Sequence, residues 1–183
     1  MDRFILKREN AALAIVDIQD KLAVVMSEKQ KVLNNTIHLI ETAKLLKIPI
    51  LITEQYPKGL GPTIAGIKEA LENYDPIEKT SFSCCGESTF LTALAGTGRK
   101  QIIIAGMETH VCVLQTCLDL LRNNFIVHIV SDAVCSRTKD NFKAGIELMR
   151  DAGAAITSTE TVLFQLLEKA GTEEFRTISK RIK

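Results

Sequence analysis

The chain has 183 residues, of which 46% are hydrophobic and 25% charged, a composition typical of one globular domain rather than a disordered chain. Because 23 Lys and Arg residues nearly balance 22 Asp and Glu residues, the net charge of +1 favours neither a nucleic-acid nor an anionic membrane partner. The longest apolar run, Ala11–Val16, is far shorter than the roughly 20 residues of a membrane-spanning helix. The charged amino end, MDRFILKREN, is not expected to serve as the apolar region of a secretory signal. We therefore expect a cytoplasmic protein with no membrane and no nucleic-acid partner.

Short apolar runs alternate with amphipathic segments of helical period from one end of the chain to the other. The runs of strand length are Ala12–Ile18, Ile48–Thr53, Pro76–Lys79, Gln101–Ala105, Phe125–Val130 and Ala154–Thr157. The helical segments are Lys31–Lys47, Thr63–Asn73, Ser88–Thr97, His110–Asn123, Lys139–Ala152 and Thr159–Ala170. Runs such as LAIV and IIIA are apolar at every position, which is typical of a sheet covered on both faces. The alternation predicts a three-layer α/β domain with a mainly parallel six-stranded sheet.

No linker divides the chain, so we expect a single domain over residues 1–183, with its core at about residues 11–170. The segment Gln55–Thr63, which is rich in Gly and Pro, is expected to be a surface loop. The charged C-terminal tail, residues 171–183, is compatible with a short helix that reaches a neighbouring subunit.

Ligands of an open parallel sheet bind at the carboxyl ends of its strands, where the strand order reverses. The residues that follow the predicted strands include an acid, a lysine and a cysteine. In chain order these residues are Asp17 and Gln19, then Glu54–Tyr56, then Lys79, then Gly106–Cys112, then Asp132–Ser136.

Cys112 is the cysteine best placed to react. With Thr109 as the N-cap, it falls in the first turn of a helix, where the positive end of the dipole would lower the pKa of its thiol. One helical turn from Cys112 the side chains are polar, whereas those one turn from Cys117 are apolar. Cys117 and Cys135 are therefore expected to fill the core.

The histidines do not provide a base for this thiol. His110 is two positions from Cys112, and such side chains do not face each other on a helix. Asp17 can serve as the base, and Lys79 can hold a thiolate or the carboxylate by its charge. From the residues alone, two less favoured alternatives stay open: Asp17 could cap the next segment, and Lys79 could be a solvated turn residue.

Four segments in this order resemble the isochorismatase-like cysteine hydrolases, which include nicotinamidases and N-carbamoyl amide hydrolases. They are VDIQD with Asp17, EKTSFS with Lys79, GMETHVCV with Cys112, and IVSDAVCSR. The resemblance spans about Ala11 to Leu167. The loop TEQYPKGLGPT, residues 53–63, is similar to that of isochorismatase-domain proteins whose substrate is unassigned.

The resemblance implies a Rossmann-like, doubly wound fold and a catalytic triad of Asp17, Lys79 and Cys112. It also implies a non-proline cis peptide between Met107 and Glu108, with an oxyanion hole formed by the backbone N–H groups of Glu108 and Cys112. Nicotinamidases carry an Asp-x-His metal motif after the second strand, whereas this chain has no histidine there. We therefore expect no metal and no cofactor, and nicotinamide is not the expected substrate.

The resulting hypothesis is a metal-independent cysteine hydrolase that cleaves a small amide, ureide or N-carbamoyl C–N bond through a thioester. The residues expected to line its substrate pocket are Gln19, Tyr56, Phe82, Thr109 and Val111. Three competing hypotheses are an isochorismatase-type ether hydrolase, a non-catalytic binding or scaffold protein on the same fold, and a thiol redox protein that uses Cys84 and Cys85. The resemblance also implies a homo-oligomer.

Overall fold

A computed structural model describes residues 2–182. Six strands, all parallel, form one sheet in the order β3-β2-β1-β4-β5-β6. They are β1 (Ala11–Val16), β2 (Ile50–Gln55), β3 (Ile77–Lys79), β4 (Gln101–Met107), β5 (Ile126–Cys135) and β6 (Ala155–Thr157). The order reverses between β1 and β4, as in a doubly wound Rossmann-like sheet, so the predicted fold class is confirmed.

Helices cover both faces of this sheet. They are α1 (Asp20–Ala23), α2 (Lys29–Leu45), α3 (Pro57–Leu60), α4 (Ala65–Ala70), α5 (Ser88–Gly96), α6 (Leu114–Arg122), α7 (Lys139–Asp151), α8 (Thr159–Leu167) and α9 (Glu173–Ser179). Short 3₁₀ turns occupy Asp2–Phe4 and Cys84–Gly86, and a π-helical turn, Thr109–Val113, leads directly into α6.

The central strands explain the apolar runs of the sequence. Along β1, Leu13 and Ile15 point into the core beneath α2, α4, α8 and α9, while Ala12 and Ala14 point into the core beneath α5, α6 and α7. All six residues of β1 are buried, because successive side chains of a strand face opposite layers. If polar residues alternated with apolar ones along β1, one of these two cores would lose the apolar side chains that this strand contributes to it.

Several predicted segments differ from the structure, and β5 continues to Cys135, five residues beyond its predicted end at Val130. Gln55 completes β2 instead of opening a loop, and the loop that follows contains α3, which Pro57 starts at its first position. The C-terminal tail contains α9, capped by the Thr172 hydroxyl, and this helix packs on α2 and α8 of its own chain. Its Ile178 side chain is buried there, so α9 completes the core layer beneath α8.

Glycine at position 106 permits close contact between the two strands at the reversal point. Gly106 pairs with Val16 in the β1–β4 register, and its φ is +143°, which L side chains rarely adopt. A Cβ atom at this position would lie 2.1 Å from the Val16 carbonyl oxygen. The carboxyl ends of β1 and β4, which precede Asp17 and the π-helical turn, are therefore held against each other.

Among residues 2–182, no helix is both long enough and apolar enough to cross a membrane.

Gly106→Ala is expected to lower the free energy of unfolding by about 3 to 5 kcal/mol, because the new methyl group overlaps backbone and the φ is unfavourable. Urea denaturation would measure this change. Gly96→Ala, at the end of α5, is the matched control, since a Cβ there meets no atom within 4 Å. The control should keep or raise stability by up to about 1 kcal/mol. Equal stabilities of the two variants would contradict the proposed strand contact.

Candidate active site

Asp17 and Lys79 form a fully buried ion pair at the carboxyl edge of the sheet. Asp17 follows β1 with φ at 53°, a left-handed conformation that turns the chain immediately after the strand. Lys79 is the last residue of β3. Its Nζ lies 2.7 Å from Asp17 Oδ2, and neither side chain is exposed to solvent. The structure therefore brings together two residues that are 62 positions apart by their numbers.

Lys79 is held by neutral acceptors as well as by the carboxylate. Its Nζ donates to Gln55 Oε1 at 2.7 Å and to the carbonyl oxygens of Ser81 and Phe82 at 3.1 and 3.0 Å. Burial alone would lower the pKa of Lys79, but the negative charge of Asp17 and the neighbouring Cys84 and Cys112 groups raise it above its ordinary value. Lys79 therefore remains an ammonium ion that compensates negative charge in the site.

Cys112 lies beside this pair, in the π-helical turn that follows β4. Its thiol is 5% exposed, and Sγ is 4.0 Å from Gln55 Oε1. Gly145 of α7 allows this turn to be packed closely, because a Cβ there would lie 3.0 Å from the Thr109 carbonyl oxygen. The π-helical turn is thus supported by β4 below and by α7 at its side.

The electrostatic prediction for Cys112 is wrong in direction. Burial, followed by the negative charge of Asp17, raises the pKa of the Cys112 thiol to about 12, and the opposing effect of Lys79 is smaller. The predicted N-cap is also displaced by one residue. Glu108 occupies the cap position without a capping side-chain bond, and Thr109 is already the first helical residue. The dipole of a short π-helical turn does not compensate for loss of solvent around the sulfur.

The carboxylate of Asp17 uses its two oxygens differently. Oδ1 accepts a hydrogen bond from the Thr53 hydroxyl at 2.7 Å, whereas Oδ2 faces Lys79. Apart from this ion pair, Oδ2 has no hydrogen-bond partner among the described residues. The second oxygen therefore retains lone-pair capacity that can accept a proton from a thiol.

Gln55 is a site residue to which the sequence assigned no role. Its amide nitrogen donates to the Thr80 carbonyl at 2.8 Å, which directs its amide oxygen toward Lys79 and Cys112. The only signal in the sequence was its position near the end of the second predicted strand.

Gln19, one of the predicted pocket residues, has a different position from the one expected. Its amide oxygen accepts from the Gln55 backbone N–H at 2.8 Å, and its amide nitrogen donates to the carbonyls of Gln55 and Gly61 at 3.0 and 2.7 Å. The side chain is fully buried and already hydrogen-bonded at both ends. Gln19 therefore joins the end of β2 to the following loop instead of facing a ligand, because its amide is occupied by backbone groups of Gln55 and Gly61.

The other predicted pocket residues lie in two environments. Tyr56 and Phe82 are about half exposed, at 55% and 53%. Val111 is half-buried, and Thr109 is buried with a hydroxyl that has no hydrogen-bond partner among the described residues. A cavity of about 320 Å³ adjoins Tyr56 and Lys79 over the ends of β2 and β3.

The segment before the π-helical turn has the geometry that the resemblance implies. The Met107–Glu108 peptide is cis. The Glu108 side chain turns away from the site, since its Oε2 accepts from both the backbone N–H and the Nε of Arg137 at 3.0 and 3.1 Å. Its backbone, and not its carboxylate, is therefore the part available to the site.

The remaining cysteines separate into core and site positions. Cys117 and Cys135 are buried in the apolar cores, and burial is the largest cause that raises the pKa of each thiol to about 12. Cys85 is half-buried, whereas Cys84 is fully buried and its pKa responds to both Asp17 and Lys79. The signal in the sequence for this proximity was the position of Cys84, five residues after Lys79.

Within residues 2–182, no three His, Cys, Asp or Glu side chains are grouped closely enough to hold a metal ion. The side chains at the strand ends instead combine a thiol, a carboxylate with one free lone-pair position, and a fixed ammonium ion. This set can perform nucleophilic and acid–base chemistry.

An α/β sheet with these groups at its reversal point defines a hydrolase of the isochorismatase-like class. Residues 11–161 match the model of the isochorismatase domain. The chain belongs to the isochorismatase family, whose members are hydrolases.

Relatives with different names share most of the chain. It is 39% identical over 180 residues to the secreted isochorismatase effector Isc1 of Phytophthora sojae, covering 95% of this chain and 85% of the relative. The structure of Mar1 ribonuclease from Caenorhabditis elegans is 36% identical with a TM-score of 0.91, covering 97% and 92% of the two chains.

YcaC is the third relative, and its structure is known from two bacteria. The Escherichia coli protein is described as an octameric hydrolase of unknown specificity and is 26% identical with a TM-score of 0.91, covering 97% and 90% of the two chains. YcaC from Pseudomonas aeruginosa was solved with covalent acrylamide and is 27% identical with a TM-score of 0.90, covering 97% and 91%.

Asp17→Asn is expected to lower the pKa of the Cys112 thiol below its value of about 12, because the carboxylate charge disappears while Lys79 remains. Ultraviolet absorbance of the thiolate against pH would measure this. The absorbance of Cys112 itself is obtained by subtracting the absorbance of the same protein carrying Cys112→Ala.

Lys79→Met is the opposing variant and should raise the pKa of the same thiol. A Cys112 pKa that Asp17→Asn leaves unchanged or raises would show that the carboxylate does not act on the sulfur.

Proposed function

We propose that this protein is a metal-independent cysteine hydrolase that cleaves a small amide, ureide or N-carbamoyl C–N bond through a thioester intermediate. The observation that carries the proposal is the buried Asp17–Lys79 ion pair beside the Cys112 thiol at the carboxyl ends of the central strands. Burying two charges is costly, so such a pair with a free carboxylate lone pair beside a thiol points to catalysis.

The resting nucleophile is a thiol, because the pKa of Cys112 is raised to about 12. Asp17 Oδ2 therefore accepts the thiol proton as the sulfur attacks the carbonyl carbon. The new S–C bond forms as the C=O π pair moves to oxygen, and the backbone N–H groups of Glu108 and Cys112 stabilise this oxyanion. Lys79 compensates the negative charge that Asp17 carries before the transfer and that the oxyanion carries after it.

Collapse of the tetrahedral intermediate breaks the C–N bond. Asp17 donates the proton that it received to the nitrogen, which leaves as a neutral amine or ammonia. Water then attacks the thioester, Asp17 accepts a proton from the water, and the proton returns to the Cys112 sulfur as the acid product departs. The reaction consumes one water molecule and restores the thiol and the carboxylate.

The burial of the reacting groups supports a small substrate. Asp17 is fully buried and Cys112 is almost so, whereas Tyr56 and Phe82 at the surface are about half exposed. In the proposed pocket, Thr109 and Val111 contact the substrate near the sulfur, and the unpartnered Thr109 hydroxyl provides a hydrogen bond. Tyr56 and Phe82 form its outer wall. The covalent acrylamide of the YcaC structure is a small amide on a related chain.

The name of the Mar1 relative raises ribonuclease activity as a competing function. An RNA strand would have to bring a phosphodiester to groups that are 0% exposed in this chain, and the net charge of +1 provides little attraction for it. An isochorismatase-type ether hydrolase would release no ammonia, and a non-catalytic scaffold would turn over no substrate at all. A substrate panel therefore separates these functions from the amide hydrolase.

We also propose that the protein forms a homo-oligomer, which the octameric assembly described for the E. coli YcaC relative supports. Leu118 of α6 and Leu148 of α7 are exposed apolar side chains on adjacent helices that a subunit contact would cover. The cytoplasmic location stays a prediction from the sequence, and the Phytophthora sojae relative carries the name of a secreted effector.

Cys112→Ala is expected to abolish ammonia release from a panel of small amides, ureides and N-carbamoyl compounds, with a loss of at least about 10³-fold in kcat/KM on any active substrate. Cys117→Ala, which removes a buried thiol outside the site, is the control and should retain turnover. RNA and isochorismate belong in the same panel. Full activity of Cys112→Ala on a verified substrate would exclude the thioester route.

Turnover is expected to be independent of a bound metal ion. Elemental analysis of active protein should find no stoichiometric zinc, iron or manganese, and dialysis against a chelator should leave the rate unchanged. Loss of activity on chelation that is restored by one of these ions would refute the metal-independent mechanism.

A further inference from the structure

A second thiol lies close to the catalytic carboxylate and is linked to it through Thr53. The Thr53 hydroxyl, 1% exposed, donates to Asp17 Oδ1 at 2.7 Å. The Cys84 sulfur lies 3.7 Å from the same hydroxyl oxygen and is fully buried. The mechanism proposed above uses neither residue, although both lie within one or two contacts of the base.

The direction of these hydrogen bonds follows from the available protons. A carboxylate only accepts, so the single proton of the Thr53 hydroxyl is directed to Asp17. The contact between Thr53 and Cys84 can then form only if the sulfur carries a proton and donates it. Burial and the charge of Asp17 raise the pKa of Cys84 to about 11, which agrees with a permanent thiol.

Cys84 is also held in place from the nucleophile side. Its backbone N–H donates to the Thr116 hydroxyl at 2.9 Å, and Thr116 lies on α6, four positions after Cys112. The turn that contains Cys84 is therefore attached to α6, the helix that directly continues the π-helical turn of Cys112.

We propose that Thr53 is a positioning residue for Asp17 and that the Cys84 thiol, by donating to Thr53, fixes the direction of the hydrogen bond to Oδ1. This inference rests on the proposed role of Asp17 as the base. The hydroxyl holds one carboxylate oxygen, which leaves Oδ2 free to accept the proton of the Cys112 thiol. The charged and titratable groups packed around this carboxylate are Lys79 from β3, Cys84 from the 3₁₀ turn and Cys112 from the π-helical turn.

The test is the pH dependence of Cys112 alkylation by iodoacetamide, quantified by peptide mass spectrometry, which needs no known substrate. The rate in the unmodified protein should rise through an acid limb that depends on the Asp17 carboxylate, before the direct thiolate reaction appears at high pH. Thr53→Val, which is nearly isosteric, should move this limb toward higher pH by about one to two units, the value of a lost hydrogen bond to a charged group. Thr53→Ser should restore it.

Further variants separate positioning from a general loss of structure. Cys84→Ala should shift the limb less than Thr53→Val, and Cys84→Ser, whose hydroxyl can donate, should shift it less than Cys84→Ala. Cys117→Ala, outside the network, should not shift it. In an Asp17→Asn background the limb should vanish and Thr53→Val should add no further shift. Unfolding midpoints of all variants would show that each is folded.

A Thr53→Val profile that coincides with that of the unmodified protein, or an equal shift in the Asp17→Asn background, would overturn the proposal. Failure of the thioester mechanism has a different signature, because Cys112→Ala would then retain turnover while the Thr53→Val shift in alkylation persisted.

Discussion

The buried ion pair between Asp17 and Lys79 is the interaction on which the site depends. Two charges without solvent exposure are tolerated only when each is neutralised and hydrogen-bonded. Lys79 meets this requirement through the carboxylate, the Gln55 amide and two carbonyl groups. Asp17 meets it through Lys79 and Thr53. The arrangement of the surrounding polar side chains follows from this requirement, as does the resting state of the thiol.

The pair also decides which chemical form of Cys112 awaits a substrate. A lone ammonium beside a thiol would favour a thiolate, whereas a carboxylate already bound to that ammonium removes most of its effect on the sulfur. In the mechanism that we propose, proton transfer then accompanies the attack of the sulfur instead of preceding it. A protonated resting sulfur is also less open to reaction with oxidants, since the thiolate is the reactive form.

Much of the fold and of the site was predictable from the sequence, for identifiable reasons. The apolar runs marked all six strands, and parallel topology then placed Asp17, Lys79 and the Cys112 turn at one edge without any further information. The pKa of Cys112 was not predictable, because it depends on burial depth and not on position along a helix. Gln19 illustrates the same limit. Its place after a strand suggested a ligand contact, whereas backbone groups of Gln55 and Gly61 occupy its amide. Thr53 lies inside an apolar run, so nothing in the sequence connected it to the carboxylate, and the position of Cys84 soon after Lys79 gave no sign of its contact with Thr53.

The cysteines that the fold encloses also set a limit on the conditions under which it can persist. Four of them, Cys84, Cys112, Cys117 and Cys135, are buried, and burial is the largest cause that raises the pKa of each from 9.0 to about 11 or 12. As the pH rises, the unfolded chain releases these protons at a lower pH than the folded chain does. The thiols therefore leave the free energy of unfolding unaffected well below pH 9, and it declines between the unfolded and folded pKa values. At pH 10, one unit above the unfolded value, each thiol costs about 1 to 1.5 kcal/mol. Together, four such groups amount to about 4 to 6 kcal/mol, a large part of the margin that keeps most domains folded. Mild alkali therefore acts on this chain as a denaturant whose effect originates in its sulfur atoms.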